Sequence, residues 1–421
     1  MPAEAIDTLV VGAGQAGIAM SEHLGKAGIP HLVLERQRIA ESWRSKRWDS
    51  LVANGPAWHD RFPGMEFPDA HPDEFPPKEK VADYFVAYAD MIGAPVRTGV
   101  EVRKVQRLVG RPGFLVETST GAIEAKSVVV ATGAFHHPVI PDLVPRDAGI
   151  AQIHSNEYRN PAQLPDGAVL VVGAGSSGGQ IADELQRAGR RVFLSVGPHG
   201  RPQRAYRGRD YCWWLGVLGK WDVPAPTPGA QHVTISVSGA RGGHTVDFRL
   251  YASQGMTLVG MTRSYKDGTI HFAPDLAENL RRGDADYLSS LDEADAYVAR
   301  TGLDLPQEPE ARIILPDPPS VTDPILALDL EDAGITSVVW ATGYAFDFGW
   351  LKVGAFDETG KPRHQRGVST EAGLYFLGLP WQSRRGSSFI WGVWHDARYV
   401  ADQIAIQRSY RAYDEARRGG R

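Results

Sequence analysis

The chain has 421 residues, 43% of them hydrophobic and 23% charged, with a formal net charge of −5 at pH 7. That length exceeds what one hydrophobic core accommodates and points to two or three domains; the balance excludes a disordered chain or a coiled coil, and the charge offers nucleic acid or an anionic membrane no overall attraction. A single cysteine, Cys212, excludes an intramolecular disulfide or a dithiol relay, and no apolar run reaches the roughly 18 residues of a membrane helix, so a cytoplasmic protein is expected.

The predicted elements begin with a buried strand, Thr8 to Val11, that turns into a helix at Gly12-Ala13-Gly14-Gln15-Ala16-Gly17. This spacing between strand and helix reads as a dinucleotide cradle. Gly12 permits the tight turn, Gly14 lets a pyrophosphate reach the backbone, and Gly17 lets helix and strand pack closely, while the helix N-terminus faces the phosphates. A second strand, His31 to Leu34, ends at Glu35, at the spacing a ribose-binding carboxylate needs, with Arg36 beside it.

The segment Glu41 to Leu51 mixes Trp43, Arg44, Arg47 and Trp48, which suits a phosphate clamp and a wall for a flat ring, and equally a solvated helix end on packed tryptophans. Asn54-Gly55-Pro56 breaks the chain, and the proline-rich, acidic residues 63–77 read as a surface loop bordering a cleft. Lys80 to Met91 has helical spacing, strands are predicted around 100–108 and 113–117, and Val128-Val129-Val130-Ala131-Thr132-Gly133 is a buried strand ending in small residues.

A second cradle follows, Gly173-Ala174-Gly175-Ser176-Ser177-Gly178. The strand after it, Arg191 to Val196, carries Ser195 near its end and no acid, while Arg201, Arg204, Arg207 and Arg209 crowd the next segment. Cations in place of an acid suit a 2′-phosphate and favour NADPH over NADH, unless they are surface charges or meet an acidic substrate. Between 211 and 332 no third cradle occurs; Val233 to Val237 alternates as a strand, Leu276 to Arg300 is a predicted helix, and the insertion is expected to cover the cleft. Val338-Val339-Trp340-Ala341-Thr342-Gly343 then repeats the earlier strand, and Leu374 to Gly378 and a helix after Gly386 close the chain, against the first cofactor or packed on the first domain. Trp213, Trp214, Trp381, Trp391 and Trp394 suit an aromatic pocket or a core. The expected fold is α/β with two Rossmann-like units: a nucleotide domain at 165–335 inserted into a discontinuous one formed by 1–164 and 336–421. Two cradles in one chain imply two dinucleotides brought together.

This ordered set resembles, over nearly the whole chain, the class B flavin-dependent monooxygenases, the group of flavin-containing and plant indole-pyruvate monooxygenases. The resemblance implies FAD on Gly12, Gly14, Gln15, Ala16, Gly17, Glu35, Arg36, Trp43, Arg44, Ala131, Thr132 and Gly133. It implies NADPH on Gly173, Gly175, Ser176, Ser177, Gly178, Ser195, Arg201 and Arg204, and places the cofactor-binding Ala341, Thr342 and Gly343, like the first Ala-Thr-Gly, where the chain passes between the two domains. It further implies hydride transfer from NADPH to FAD and a flavin C4a-hydroperoxide that passes one oxygen atom of O₂ to a small organic substrate, with no metal. His154 and Tyr158 match the end of the family motif F-x-G-x-x-x-H-x-x-x-Y, whose Phe and Gly positions hold Ala148 and Ile150 here. The likeness makes His154 a linker coupling NADPH binding to flavin chemistry and Asn54 the asparagine beside the flavin. Baeyer-Villiger oxidation is disfavoured by the missing Phe-x-Gly. Two paired cradles also suit an NADPH-dependent flavin oxidase or reductase, or a non-enzymatic redox partner. Neither nucleic acid nor membrane is an expected partner, and a homodimer is admitted.

Overall fold

The computed structural model describes residues 3–224 and 234–419. Its first sheet grows from β1 (Glu4–Val11), whose Leu9, Val10 and Val11 are buried on both faces as a central parallel strand requires. β1 pairs in parallel with β2 (His31–Glu35) on one side and β6 (Gly121–Val130) on the other; β3 (Val96–Thr98) extends the sheet beyond β2, and the strand Leu374–Phe376 extends it beyond β6. β4 (Val102–Arg107) and β5 (Phe114–Thr118), the two strands predicted there, form an antiparallel meander leading into β6. Helices α1 (Gln15–Lys26) and α3 (Lys78–Met91) share one core with β1, and a single-turn α2 (Glu41–Ser45) lies between them in sequence.

The chain then crosses to a second unit at β7 (His137–Pro138) and returns at Tyr344–Ala345, and these two crossings pair with each other. Five parallel strands make the second sheet: Thr257–Val259, β10 (Val192–Ser195), β9 (Ala168–Val172), Ile335–Trp340 and β8 (Ala151–His154), in that spatial order. The second unit therefore takes in β8 and Ile335–Trp340, which the expected boundaries at 164/165 and 335/336 gave wholly or mostly to the first. The reason is a repeated construction. In each unit the strand ending in Ala-Thr-Gly pairs beside the strand that opens the cradle, so each copy belongs with its own cradle.

Around the second sheet lie α4 (Ser176–Arg187), α5 (Tyr211–Val217), α6 (Phe248–Ser253), α7 (Leu276–Thr301) and the single-turn α8 (Pro319–Thr322). α7 matches the predicted helix and buries Tyr287, Leu291, Ala294 and Val298 against Trp214 of α5. Of the strand expected at Val233 to Val237, Val233 lies outside the described residues, and Thr234–Ile235 pairs with His199–Gly200.

The closing helix α9 (Ile390–Gly419) turns Val393, Ala397, Val400 and Ile404 onto α1, completing the first core. His23 of α1 sits in that seam, its neutral ring donating from Nε2 to the Trp394 carbonyl at 3.0 Å and meeting the indole edge-on. Burial pushes the His23 pKa down to about 4. An unfolded histidine takes its proton near 6.5, so the unfolded chain binds it first as pH falls. The stability tied to neutral His23 is thus complete above about pH 6.5 and is lost progressively toward pH 4. We expect Tm to fall across that window and His23→Gln to flatten the slope; an unchanged slope would show that His23 carries none of it.

Candidate functional site

At the first cradle Gly12 has φ +103°, and a Cβ there would lie 2.7 Å from the Ala131 carbonyl oxygen, so the first Ala-Thr-Gly turn closes against a position only glycine fills. A Cβ on Gly17 would overlap the Gly12 carbonyl oxygen, because α1 and β1 touch backbone to backbone. Gly14 is the opposite case: nothing lies within 4 Å of its Cβ position. Gly14 is also the N-cap of α1 and supplies no side chain to its free N–H groups. Those groups open into a cleft of about 550 Å³, lined by Gly12, Gly14, Gln15, Ala16, Glu35, Arg36, Trp43, Ala131, Thr132 and Gly133. An uncapped helix N-terminus with open space before it is a place for a dinucleotide pyrophosphate.

Side chains stiffen this cleft. Glu35 accepts from the Ala13 N–H through Oε2 and from the Gln37 N–H through Oε1, both at 2.9 Å, which fixes the carboxylate at the end of β2. Gln15 Nε2 donates to the Ser388 carbonyl at 2.8 Å, tying the turn before α9 to the cradle, and Gly378 comes close enough to Ala16 that a Cβ would sit 3.0 Å away. Thr132 Oγ1 bonds His136 Nε2 at 3.0 Å.

Arg44, expected at this cleft, points elsewhere: it forks to Glu79 at 3.0 Å and Asp83 at 2.7 Å on α3. Arg47 takes its place in the lining, with its guanidinium 4.8 Å from the Phe135 ring centre and 5.9 Å from that of Trp43. No carboxylate lies within 4 Å of Arg47 among the described residues. Phe135, His136, Gly378 and Ser388 also line the cleft and were missed. The glycine before the last helix and the strand ending at Gly378 were the available signals.

The second cradle repeats the first. Gly173 has φ +114° and its Cβ would lie 2.5 Å from the Ala341 carbonyl oxygen; a Cβ on Gly178 would overlap the Gly173 carbonyl. Gly175 is the N-cap of α4, and Ser176 and Ser177 form its first turn. Ser176 Oγ donates to the Ile235 carbonyl at 2.9 Å and accepts from the Val237 N–H at 3.2 Å, so residues 235–237 lie across the start of α4. In the second Ala-Thr-Gly turn, Thr342 Oγ1 donates to the Val139 carbonyl, and Gly343 has φ +82°.

Three of the four cations expected around this cradle are paired, while Arg209 is exposed and makes no ion pair among the described residues. Arg201 pairs with Asp247 at 2.9 Å and Asp284 at 3.1 Å, Arg204 with Asp210 at 2.6 Å, and Arg207 with Asp295 at 2.9 Å. Arg201 and Arg204 are buried. Their role is structural, and a 2′-phosphate does not find them exposed. Ser195 is buried as well, donating to the Gly260 carbonyl and accepting from the Thr262 N–H. Only the neutral character expected of that strand end stands.

Asn54 and His154 both sit where the two units meet. The Asn54 amide oxygen accepts from Gln180 of α4 at 3.0 Å, and its carbonyl accepts from Arg204 at 2.6 Å, so it bridges the units and does not line the first cleft. His154 accepts from the Asn156 N–H at Nδ1, which leaves Nε2–H to donate to the Gly343 carbonyl at 3.0 Å. Burial lowers its pKa, so the ring is neutral; it holds the second Ala-Thr-Gly turn beside the chain crossing. Cys212 is buried and its thiol pKa is pushed up by burial, the reverse of what a nucleophilic thiolate needs.

A second cavity, of about 350 Å³, lies between α5, α7 and the segment before α9, with Trp214, Leu215, Trp381 and Arg385 among its walls. The other tryptophans serve the core: Trp213 meets Trp214 edge-on, Trp391 stacks on His59, and Trp394 donates to Glu22.

The flavin-containing monooxygenase from Stenotrophomonas maltophilia shares this fold with a TM-score of 0.66, at 17% identity, over 96% of this chain and 99% of that one. A family model described as pyridine nucleotide-disulphide oxidoreductase matches residues 9–207. Indole-3-pyruvate monooxygenase YUCCA1 of Oryza sativa is 33% identical over 192 residues, 45% of this chain and 47% of that protein. The fold with its paired cradles is thus one that flavin monooxygenases share. A CzcO-like oxidoreductase of Geobacillus kaustophilus is 34% identical over 404 residues, covering 95% of this chain and 98% of its own, and the chain belongs to that CzcO-like oxidoreductase family. Among the described residues no helix is long and apolar enough to cross a membrane.

Proposed function

We propose that the chain is an FAD- and NADPH-dependent monooxygenase that transfers one oxygen atom from O₂ to a small organic substrate, by N- or S-oxygenation or at a carbonyl. The observation that carries this reading is the pair of similarly built cradles, each closed by its own Ala-Thr-Gly turn, with Asn54 tying the first unit to α4 of the second. The first cleft suits FAD: Gly14 leaves the pyrophosphate room, Glu35 offers a fixed carboxylate to a ribose, and Trp43 and Phe135 supply apolar walls. NADPH suits the second cradle because no acid at the end of β10 repels a 2′-phosphate; the buried arginines lend no support. When bound, the flavin, reduced by the nicotinamide, supplies the electrons that activate O₂. The chain's residues position and enclose: the Gln15 to Ser388 bond keeps the turn before α9 against the cleft, and neutral His154 anchors the second Ala-Thr-Gly turn. A cytoplasmic location fits a chain with one cysteine. The rice relative, named as a monooxygenase, supports oxygen transfer over reduction alone.

Two measurements bear on this. Glu35→Ala should weaken flavin retention by about tenfold or more, since a charge-assisted hydrogen bond contributes roughly 1.5–3 kcal/mol; flavin released on dilution reads it, and unchanged retention would remove Glu35 from the site. Turnover with NADPH under ¹⁸O₂ should label the product with one atom while NADPH use matches product formed. Unlabelled substrate with stoichiometric hydrogen peroxide would overturn oxygen transfer.

A further inference from the structure

We propose that the second cavity binds the substrate and that this substrate is a small zwitterion, an α-amino acid with an apolar side chain; as a substrate site it rests on the cofactor reading above. Arg385 donates to the Tyr211 hydroxyl at 2.9 Å and has no carboxylate within 4 Å among the described residues; residues 225–233 contain neither Asp nor Glu. Asp286, on the same cavity, accepts from the Arg201 N–H at 2.9 Å and meets no cationic side chain within 4 Å among the described residues. Burial raises its pKa, outweighing the lowering by the Arg201 N–H and by the charges of Arg385 and Arg201.

The cavity thus presents one unpaired cation and one unpaired acid that do not pair with each other. The remaining charges there, Lys220 and Glu293, neutralise each other at 2.7 Å. A ligand carrying both a carboxylate and an ammonium group satisfies Arg385 and Asp286 together, whereas a ligand with one charge leaves the other desolvated at a cost. Between them Trp214, Leu215 and Trp381 supply an apolar wall for the side chain.

The location fits a substrate site. Arg385 opens the 3₁₀ turn that ends at Ser388 in the first cleft. Ile235, whose carbonyl accepts from Ser176 at the second cradle, also lines the cavity. The cavity therefore touches the walls of both cofactor sites.

Calorimetric titration of the oxidised holoenzyme without NADPH tests this with three probes: L-methionine, its deaminated analogue 4-(methylthio)butanoate, and its decarboxylated analogue 3-(methylthio)propylamine. L-methionine should bind tightest, with each single-charge probe weaker by about tenfold or more. Arg385→Gln should weaken methionine and the acid by a similar factor and leave the amine unchanged; Asp286→Asn should weaken methionine and the amine and spare the acid. The spared probe shows that each variant keeps its cavity. Three probes binding alike, no binding of methionine, or a variant that weakens all three equally would overturn the proposal. Because no turnover is involved, the expected pattern in a protein that fails to oxygenate would refute the monooxygenase reading and leave the zwitterion site standing.

Discussion

Gly17→Ala is expected to abolish the folded first unit, while Gly14→Ala is expected to fold and to be colourless. The two glycines are three positions apart in one motif, yet they face different neighbours. A methyl on Gly17 overlaps the Gly12 carbonyl oxygen, and relief requires α1 to move off β1, away from a core that includes Ile18, Met20, Tyr88 and α9. Overpacking typically costs about 1–3 kcal/mol and more when backbone cannot yield. Against a total stability of about 5–15 kcal/mol, a clash of backbone against backbone at the centre of the unit should appear as loss of soluble protein or a large drop in Tm. A methyl on Gly14 meets nothing within 4 Å and projects where a pyrophosphate would lie. Its melting curve should match that of wild-type apoprotein, and flavin should be absent after purification. A yellow, stable Gly14→Ala protein, or a Gly17→Ala protein that melts normally, would contradict the cradle geometry.

Arg204→Ala should destabilise the protein by about 3–5 kcal/mol, the cost of leaving one member of a buried pair without its partner. The side chain is 4% exposed and binds Asp210 through two nitrogens, with a further donor to the Asn54 carbonyl and its guanidinium over the Phe75 ring. Asp210 also caps α5 by accepting from the Cys212 N–H, so its displacement would loosen the wall of the second cavity. Chemical denaturation reads the effect. A variant of wild-type stability that discriminates less between NADPH and NADH would instead restore Arg204 to a 2′-phosphate site.

Much of the fold was legible because a cradle is a local object. Strand, glycine spacing and helix all fall between Glu4 and Lys26, and the same spacing recurs at Gly173. α7 was legible for the same reason, through its helical periodicity. What escaped was non-local. That β8 and Ile335–Trp340 flank one another in the second sheet is a matter of parallel pairing across some 180 residues, which no window on the sequence contains. The arginines after β10 read as a basic patch because their neutralising aspartates, Asp247, Asp284 and Asp295, arrive from α6 and α7. Arg44 and Arg47 belong to one run, and only the turn after α2 decides that Arg47 faces the cleft while Arg44 reaches α3. Ser195 stood at the right strand end, but its hydroxyl is used by Gly260 and Thr262.

The most direct test of the central claim is to reduce the holoenzyme with NADPH in the absence of oxygen and then mix it with oxygenated buffer while recording the flavin spectrum. The monooxygenase reading predicts bleaching by NADPH, then a spectrum distinct from both reduced and oxidised flavin that persists until a substrate is added and oxygenated product forms. Immediate return to the oxidised spectrum with stoichiometric hydrogen peroxide, whatever substrate is present, would contradict it.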